Sequence, residues 1–327
     1  MWNTIRSNWQ LVIIAAAVGI VALVEISKAL RPSEKNSPVP SSTDSSWVTP
    51  SLFTDNELQC AERELVIYGE DVIANTARYF GPHGSVAAIT NGMNCQNCHL
   101  NAGKKMWGNN YSAVYATYPK LRDRSGRIES IYKRVSDCFE RSLNGTAPDS
   151  NSREYQAIYA YIKWLGKDVK KGERPVGSGI SKLNFLDRAA DPVKGKEVYT
   201  TQCQSCHGAN GEGQLSLNGV SYEYPPLLGE HSYNDGAGLF RLSNFAGYVI
   251  SNMPFKHATH DNPKLTTEEA WDQPRPKKDL SKDWPDISKK PFDHPFGPYA
   301  DGFSESQHKY GPYKPIIAKI EELAKKK

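Results

Sequence analysis

The sequence predicts a mainly α protein built from two tandem helical domains, and three observations carry that expectation. Apolar residues recur at helical spacing in well-separated stretches. One order of parts (helix, Cys-x-x-Cys-His, loop, helix) occurs twice. No alternating apolar–polar run of strand type appears at any length. The 327-residue length fits, because about two domains is the ordinary partition of such a chain.

Leu11 to Val24 is an unbroken apolar run preceded by Arg6. It is short against the roughly 20 residues of a membrane-spanning helix and fits the apolar region of an export signal. Residues 1–30 are therefore expected to be a signal peptide or a retained membrane anchor, which places the mature protein in the bacterial periplasm. The Ser- and Pro-rich residues that follow, within 31–50, read as a flexible tether. The first domain is expected over 51–170. Leu58, Leu65, Val72, Ile73, Ala77 and Phe80 mark a helix over 56–80, and Tyr155, Ile158, Tyr159, Ile162 and Leu165 mark a second over 152–166, stopped at Gly166. Glycines and prolines over 171–185 make a linker.

The second domain, 186–273, restarts at Asp191–Pro192, an N-cap followed by proline at the first helical position. A helix over 238–252 carries Leu239, Leu242, Phe245, Val249 and Ile250 and ends at Met253–Pro254. Residues 274–327 are expected to form an extended tail with a short basic helix over 316–325. The formal charge of +4 shows no large basic block, which excludes a nucleic-acid footprint. Only 39% of residues are hydrophobic, against 25 glycines and 21 prolines. A chain of that composition is loop-rich, or its core is partly filled by something other than side chains.

Six cysteines are too few for a disulfide scaffold of this length. Four of them lie in Cys95-x-x-Cys98-His99 and Cys203-x-x-Cys206-His207. Each pair is expected to attach one haem c covalently, with His99 and His207 as axial iron ligands. A thiol redox pair would not demand the histidine, and no further ligands surround either copy as a zinc site would require. On the opposite iron face, Met253 is the natural ligand of the second haem, with His257 and His260 as weaker rivals. For the first haem the soft donors are Met106, too near His99 in sequence to cross the ring, and Cys138. Cys138 either pairs with Cys60 in a disulfide or meets the iron as a thiolate. Cys60 otherwise reads as a buried structural thiol.

Beyond the haem motifs, residues 91–100 (NGMNCQNCHL), 137–145 (DCFERSLNG), 186–191 (LDRAAD), 222–227 (YEYPPL) and 236–243 (GAGLFRLS) resemble the dihaem thiosulfate dehydrogenases, a periplasmic family that includes tetrathionate reductases. The resemblance spans about residues 64–315. It implies two class I cytochrome c domains and the coupling of two thiosulfates to tetrathionate with release of two electrons, or the reverse. It further implies His99 and Cys138 on the first haem and substrate on the Cys138 side, near Arg124, Arg134 and Ser142. His207, and Met253 in at least one redox state, would hold the second haem. Another cytochrome c or a membrane oxidase would exchange the electrons. Some members carry a lysine before the methionine and exchange ligands; Asn252 stands there in this chain. The family's last helix usually runs about two turns beyond its EEAWD segment. Here 268–272 meets Gln273–Pro274 at once, so a short helix is expected and, unless the tail wraps over it, a looser second domain. Arg127 and Arg141 read as solvated surface charges. A dihaem electron carrier and a dihaem peroxidase are the competing function classes.

Overall fold

A computed structural model describes residues 47–52, 55, 58–122, 127–188, 190–217, 219–234 and 236–272. The export segment, most of the tether, Arg124 and the tail lie outside them.

The first half is organised by two crossing helices, α1 (Cys60–Ala74) and, near its end, a 13-residue helix Arg153–Leu165. Val66, Val72 and Ile73 of α1 are buried against Ile158, Tyr161 and Ile162. Gly69 makes the close crossing possible, since a Cβ there would lie 2.0 Å from the Ala157 carbonyl oxygen. The stretch expected as one helix over 56–80 is two. At Asn75 (φ −124°, ψ 38°) the chain leaves helical geometry, and α2 (Thr76–Phe80) follows. The break has a local cause: the Thr76 hydroxyl donates back to the Val72 carbonyl at 2.9 Å. It also frees backbone groups that the first cysteine motif takes up.

Next come short turns α3 (Leu100–Gly103) and α4 (Val114–Thr117), then a hairpin of β1 (Lys120–Arg122) and β2 (Arg127–Glu129) with Leu121 opposite Ile128. Helix α5 (Ile131–Arg141) is N-capped by Ser130, whose hydroxyl accepts from Lys133 N–H at 3.2 Å. The long helix Arg153–Leu165 is α6; its Ser152 cap and Gly166 stop are those read from sequence.

In the second half Asp191 caps α7 (Pro192–Val198), accepting from Val193 N–H at 2.9 Å. A π-helical turn (Tyr199–Cys203) joins it to α8 (Gln204–His207). Strands β3 (Gln214–Leu215) and β4 (Tyr222–Tyr224) pair, a 3₁₀ turn (Gly238–Phe240) precedes α9 (Leu242–Asn252), and α10 (Thr267–Asp272) ends the described chain. The two hairpins depart from the expectation of no strands; at two or three residues each, they are too short to write a period-two pattern.

The expected short final helix is present, at six residues. It is not loosely held. Asp272, 3% exposed, accepts two bonds from the Arg188 guanidinium at 2.8 and 2.7 Å and a third from Asp191 N–H at 2.8 Å. Trp271 Nε1 donates to the Asn184 carbonyl at 3.0 Å. Bidentate pairing of this kind fixes the helix end to the start of the domain. No described helix is long and apolar enough to cross a membrane.

Candidate functional site

The first cysteine motif sits on the broken end of α1. Ala77 N–H donates to the Asn94 side chain at 2.8 Å, Cys95 N–H to the Thr76 hydroxyl at 3.0 Å, and the Gln96 amide to the Ala74 carbonyl at 2.7 Å. The helix break is thus the seat of Cys95 and Cys98. His99 Nδ1 lies 2.6 Å from the Asn109 carbonyl, an acceptor only. Nδ1 therefore carries the proton and Nε2 keeps its lone pair. Burial holds this imidazole neutral, lowering its pKa to about 4. Burial also pushes the Cys95 and Cys98 thiols up to about 12.

These residues open onto a pocket with apolar walls that include Ile73, Met93, Ile131, Phe139 and Ile158. The same pocket is lined by Arg134, Cys138 and Ser142. Those three fall at i, i+4 and i+8, one stripe of α5. The Cys138 sulfur holds the Arg134 guanidinium well above its ordinary pKa. Ser142 caps the helix end, its N–H donating to the Cys138 carbonyl at 2.8 Å.

The alternatives for these residues resolve geometrically. None of the six cysteines is in a disulfide. Cys60 is exposed at the first position of α1, not buried as its composition class suggested. Met106 lies outside this pocket, its sulfur 3.6 Å from the Asn110 amide and under Gly177. Arg127 is exposed, as expected. Arg141 is not: it is 5% exposed, one side of a 3.3 Å ion pair with Asp137, which Lys133 also contacts at 2.9 Å. Desolvation lowers its pKa. Arginine four residues after an aspartate was the available signal for this pairing.

The second pocket repeats the anchor. His207 Nδ1 meets the Pro225 carbonyl at 2.8 Å, so Nε2 is again free of the proton, and burial lowers the pKa. Cys203, Cys206 and Met253 line the pocket with Leu239, Phe245 and Val249. Met253 is the C-cap of α9. Its rivals do not line this pocket. His257 is exposed, while His260 stacks on Trp107 with ring centroids 3.9 Å apart and meets Ser181 at 3.0 Å. Asn252 is fully buried, its amide donating to the carbonyls of Trp107 at 3.0 Å and Tyr248 at 2.8 Å. Met93, Asn94 and Cys98 border both pockets, so the two adjoin through the first motif.

Sequence reasoning missed the part played by the linker. The Gly177 and Gly179 carbonyls accept from Trp107 N–H at 2.8 Å and Asn109 N–H at 2.7 Å, beside the carbonyl that orients His99. Both glycines have positive φ (78° and 79°), which was the only local hint that the segment is fixed. Arg122 and Arg174 also line the first pocket.

Two thiols one turn apart, a histidine with an oriented lone pair and apolar walls suit covalent haem in both pockets. The SoxA/TsdA cytochrome c domain matches residues 85–170 and the cytochrome c family model matches 192–273. The thiosulfate dehydrogenase of Psychrobacter arcticus is 38% identical over 60% of this chain and 61% of its own. That of Stutzerimonas stutzeri is 33% identical over 76% of this chain and 78% of its own. The solved thiosulfate dehydrogenase TsdBA of Marichromatium purpuratum superposes with a TM-score of 0.61 at 29% identity, covering 69% of this chain and 47% of that one. The matched region is thus under two thirds of the Psychrobacter and Marichromatium chains. The two family models place a cytochrome c domain in each half of the chain, and the longer Stutzerimonas alignment completes the assignment: with two cytochrome c domains and two covalent haem c groups, this chain belongs to the thiosulfate dehydrogenase family.

Proposed function

We propose that the protein is a periplasmic oxidoreductase that couples two thiosulfates to tetrathionate, with Cys138 as the reacting sulfur and its neighbours one helical turn to either side, Arg134 and Ser142, as anion ligands. The observation that carries this reading is a thiol sharing one pocket with a cysteine–histidine haem anchor and a guanidinium. An electron carrier has no need of that thiol–cation pair.

The physical demand is charge. Two thiosulfate dianions brought to about 4 Å repel by roughly 4 kcal/mol in water and about 16 kcal/mol at an effective dielectric of 20. A planar guanidinium at Arg134 offsets part of that and orients a sulfonate through paired N–H donors. Ser142 donates a further hydrogen bond. Cys95 and Cys98 would hold the haem as thioethers, and His99 and, at rest, Cys138 would ligate its iron. Bound haem supplies the electron acceptor. The Cys138 sulfur bonds the outer sulfur of the first thiosulfate to give Cys138–S–SO₃⁻, releasing two electrons. The second thiosulfate attacks the outer sulfur of that adduct; tetrathionate leaves and Cys138 regains its thiolate. The reverse sequence reduces tetrathionate.

An N-terminal export segment and an electron partner, another cytochrome c or a membrane oxidase, complete the reading. The test is intact-mass analysis of holoenzyme treated with thiosulfate and a one-electron acceptor. An added S–SO₃ group on Cys138, with tetrathionate in solution, is expected. A Cys138→Ser variant turning over at the wild-type rate would refute the assignment.

A further inference from the structure

The cleft that reaches Cys138 and Ser142 continues past α5, and its opposite side belongs to other parts of the chain. Arg174 comes from the linker and Arg241 from the N-cap of α9; both line this cleft with Arg141. Arg122, Arg134 and Lys182 line it too, and Glu173 is the one carboxylate among the described lining residues. The side chain of Arg141 is almost wholly buried, yet its Nε has no hydrogen-bond partner among the described residues. Burying a guanidinium donor without an acceptor is costly, and an anion in the cleft is the acceptor such a site would take.

The opposing walls are fixed to each other. Asn234, upstream of Arg241, donates its N–H to the Arg141 carbonyl at 2.9 Å and its side-chain amide to the Glu140 carbonyl at 2.8 Å. The linker is held by the Gly177 and Gly179 carbonyls already described. The cationic faces therefore meet across a preorganised gap.

We propose that Arg174 and Arg241, facing α5, form with Arg141 at the end of that helix the subsite for the second thiosulfate, beside the Arg134–Cys138–Ser142 stripe that takes the first. This rests on the function proposed above and divides its reaction between two walls. The first wall serves adduct formation at Cys138. The second holds the sulfonate of the incoming thiosulfate while its outer sulfur attacks the adduct. The bond between Cys138 and the adduct's outer sulfur breaks, its electron pair stays on Cys138, and the new sulfur–sulfur bond completes tetrathionate.

The experiment uses holoenzyme carrying Arg241→Gln or Arg174→Gln, with Arg241→Lys as the conservative control. Steady-state rates are measured against thiosulfate concentration, and the Cys138 adduct is followed by mass after mixing. The expected result for Arg241→Gln is adduct formation at the wild-type rate, clearance by further thiosulfate slowed roughly 10- to 100-fold, and an unchanged haem spectrum; Arg174→Gln, whose side chain also lines the first pocket, is expected to slow clearance more than adduct formation. Arg241→Lys should recover part of the loss. Arg174→Gln, on an exposed linker side chain, keeps the test open if Arg241→Gln fails to fold. Clearance unchanged in both glutamine variants overturns the subsite. So does an equal loss of adduct formation and clearance. Wild-type enzyme that forms no tetrathionate overturns the underlying function instead.

Discussion

His99 and His207 are held in the same way: each rests Nδ1–H on a backbone carbonyl, at 2.6 Å from Asn109 and 2.8 Å from Pro225. Each directly follows a pair of cysteines spaced one turn apart, and burial lowers its pKa. The pockets part company on their other walls. The first has Cys138, Arg134 and Ser142 on one helix stripe; the second has Met253 among Leu239, Phe245 and Val249. Under the proposed function, an identical anchor would serve two chemistries, and the remaining wall would decide between them. A thiol beside a cation favours sulfur chemistry, whereas a thioether in an apolar setting favours electron transfer at higher potential.

The most damaging change should be Cys138→Ser. Thiosulfate oxidation is expected to fall by at least about 10³-fold, as when a nucleophile is removed, with both haems still attached. Turnover and haem staining measure the two. Arg134→Gln should lower kcat/KM by roughly 10- to 100-fold, the worth of one charge-assisted contact. Equal effects of Arg134→Gln on the two haem spectra would blur the contrast between the pockets. Met253→His should lower the potential of the second haem by on the order of 10² mV and leave the first in place, read by redox titration.

The smallest effect concerns the second module's final helix. Arg188, through its hydrogen bonds, depresses the pKa of Asp272 below its usual 3.8. A carboxylate with a lowered folded pKa adds stability above its unfolded pKa and loses it as pH falls through the folded value. Asp272→Asn should therefore cost about 1–2 kcal/mol at neutral pH, since Arg188 is partly solvated, and almost nothing in strong acid. Thermal melts of both proteins across pH 2–7 check the sign.

Local signals were legible in the sequence. The haem motifs, the Ser152 and Gly166 boundaries of α6, the Asp191 cap and the end of α9 at Met253 all depend on neighbours within a few residues. The Arg134–Cys138–Ser142 stripe follows from helical periodicity once α5 is accepted. What escaped depends on distant partners. The break at Asn75 exists to receive a motif some twenty residues on, through Thr76 and Asn94. Arg141 is buried, and Asn234 from a distant part of the chain bonds its backbone carbonyl. The linker looked like a spacer because its glycine carbonyls bond residues 107 and 109, a relation no local window contains. Cys60 went the other way: its residue class favours burial, but its place at the solvent-facing start of α1 decides otherwise.

The sharpest measurement of the contrast is the low-spin ferric EPR and near-infrared spectrum of the oxidised holoenzyme, taken with and without Cys138→Ser. The account predicts one histidine–thiolate haem and one histidine–methionine haem, with the thiolate signature lost in the variant and the methionine signature kept. Two histidine–methionine signatures, or a thiolate signature that survives Cys138→Ser, would contradict it.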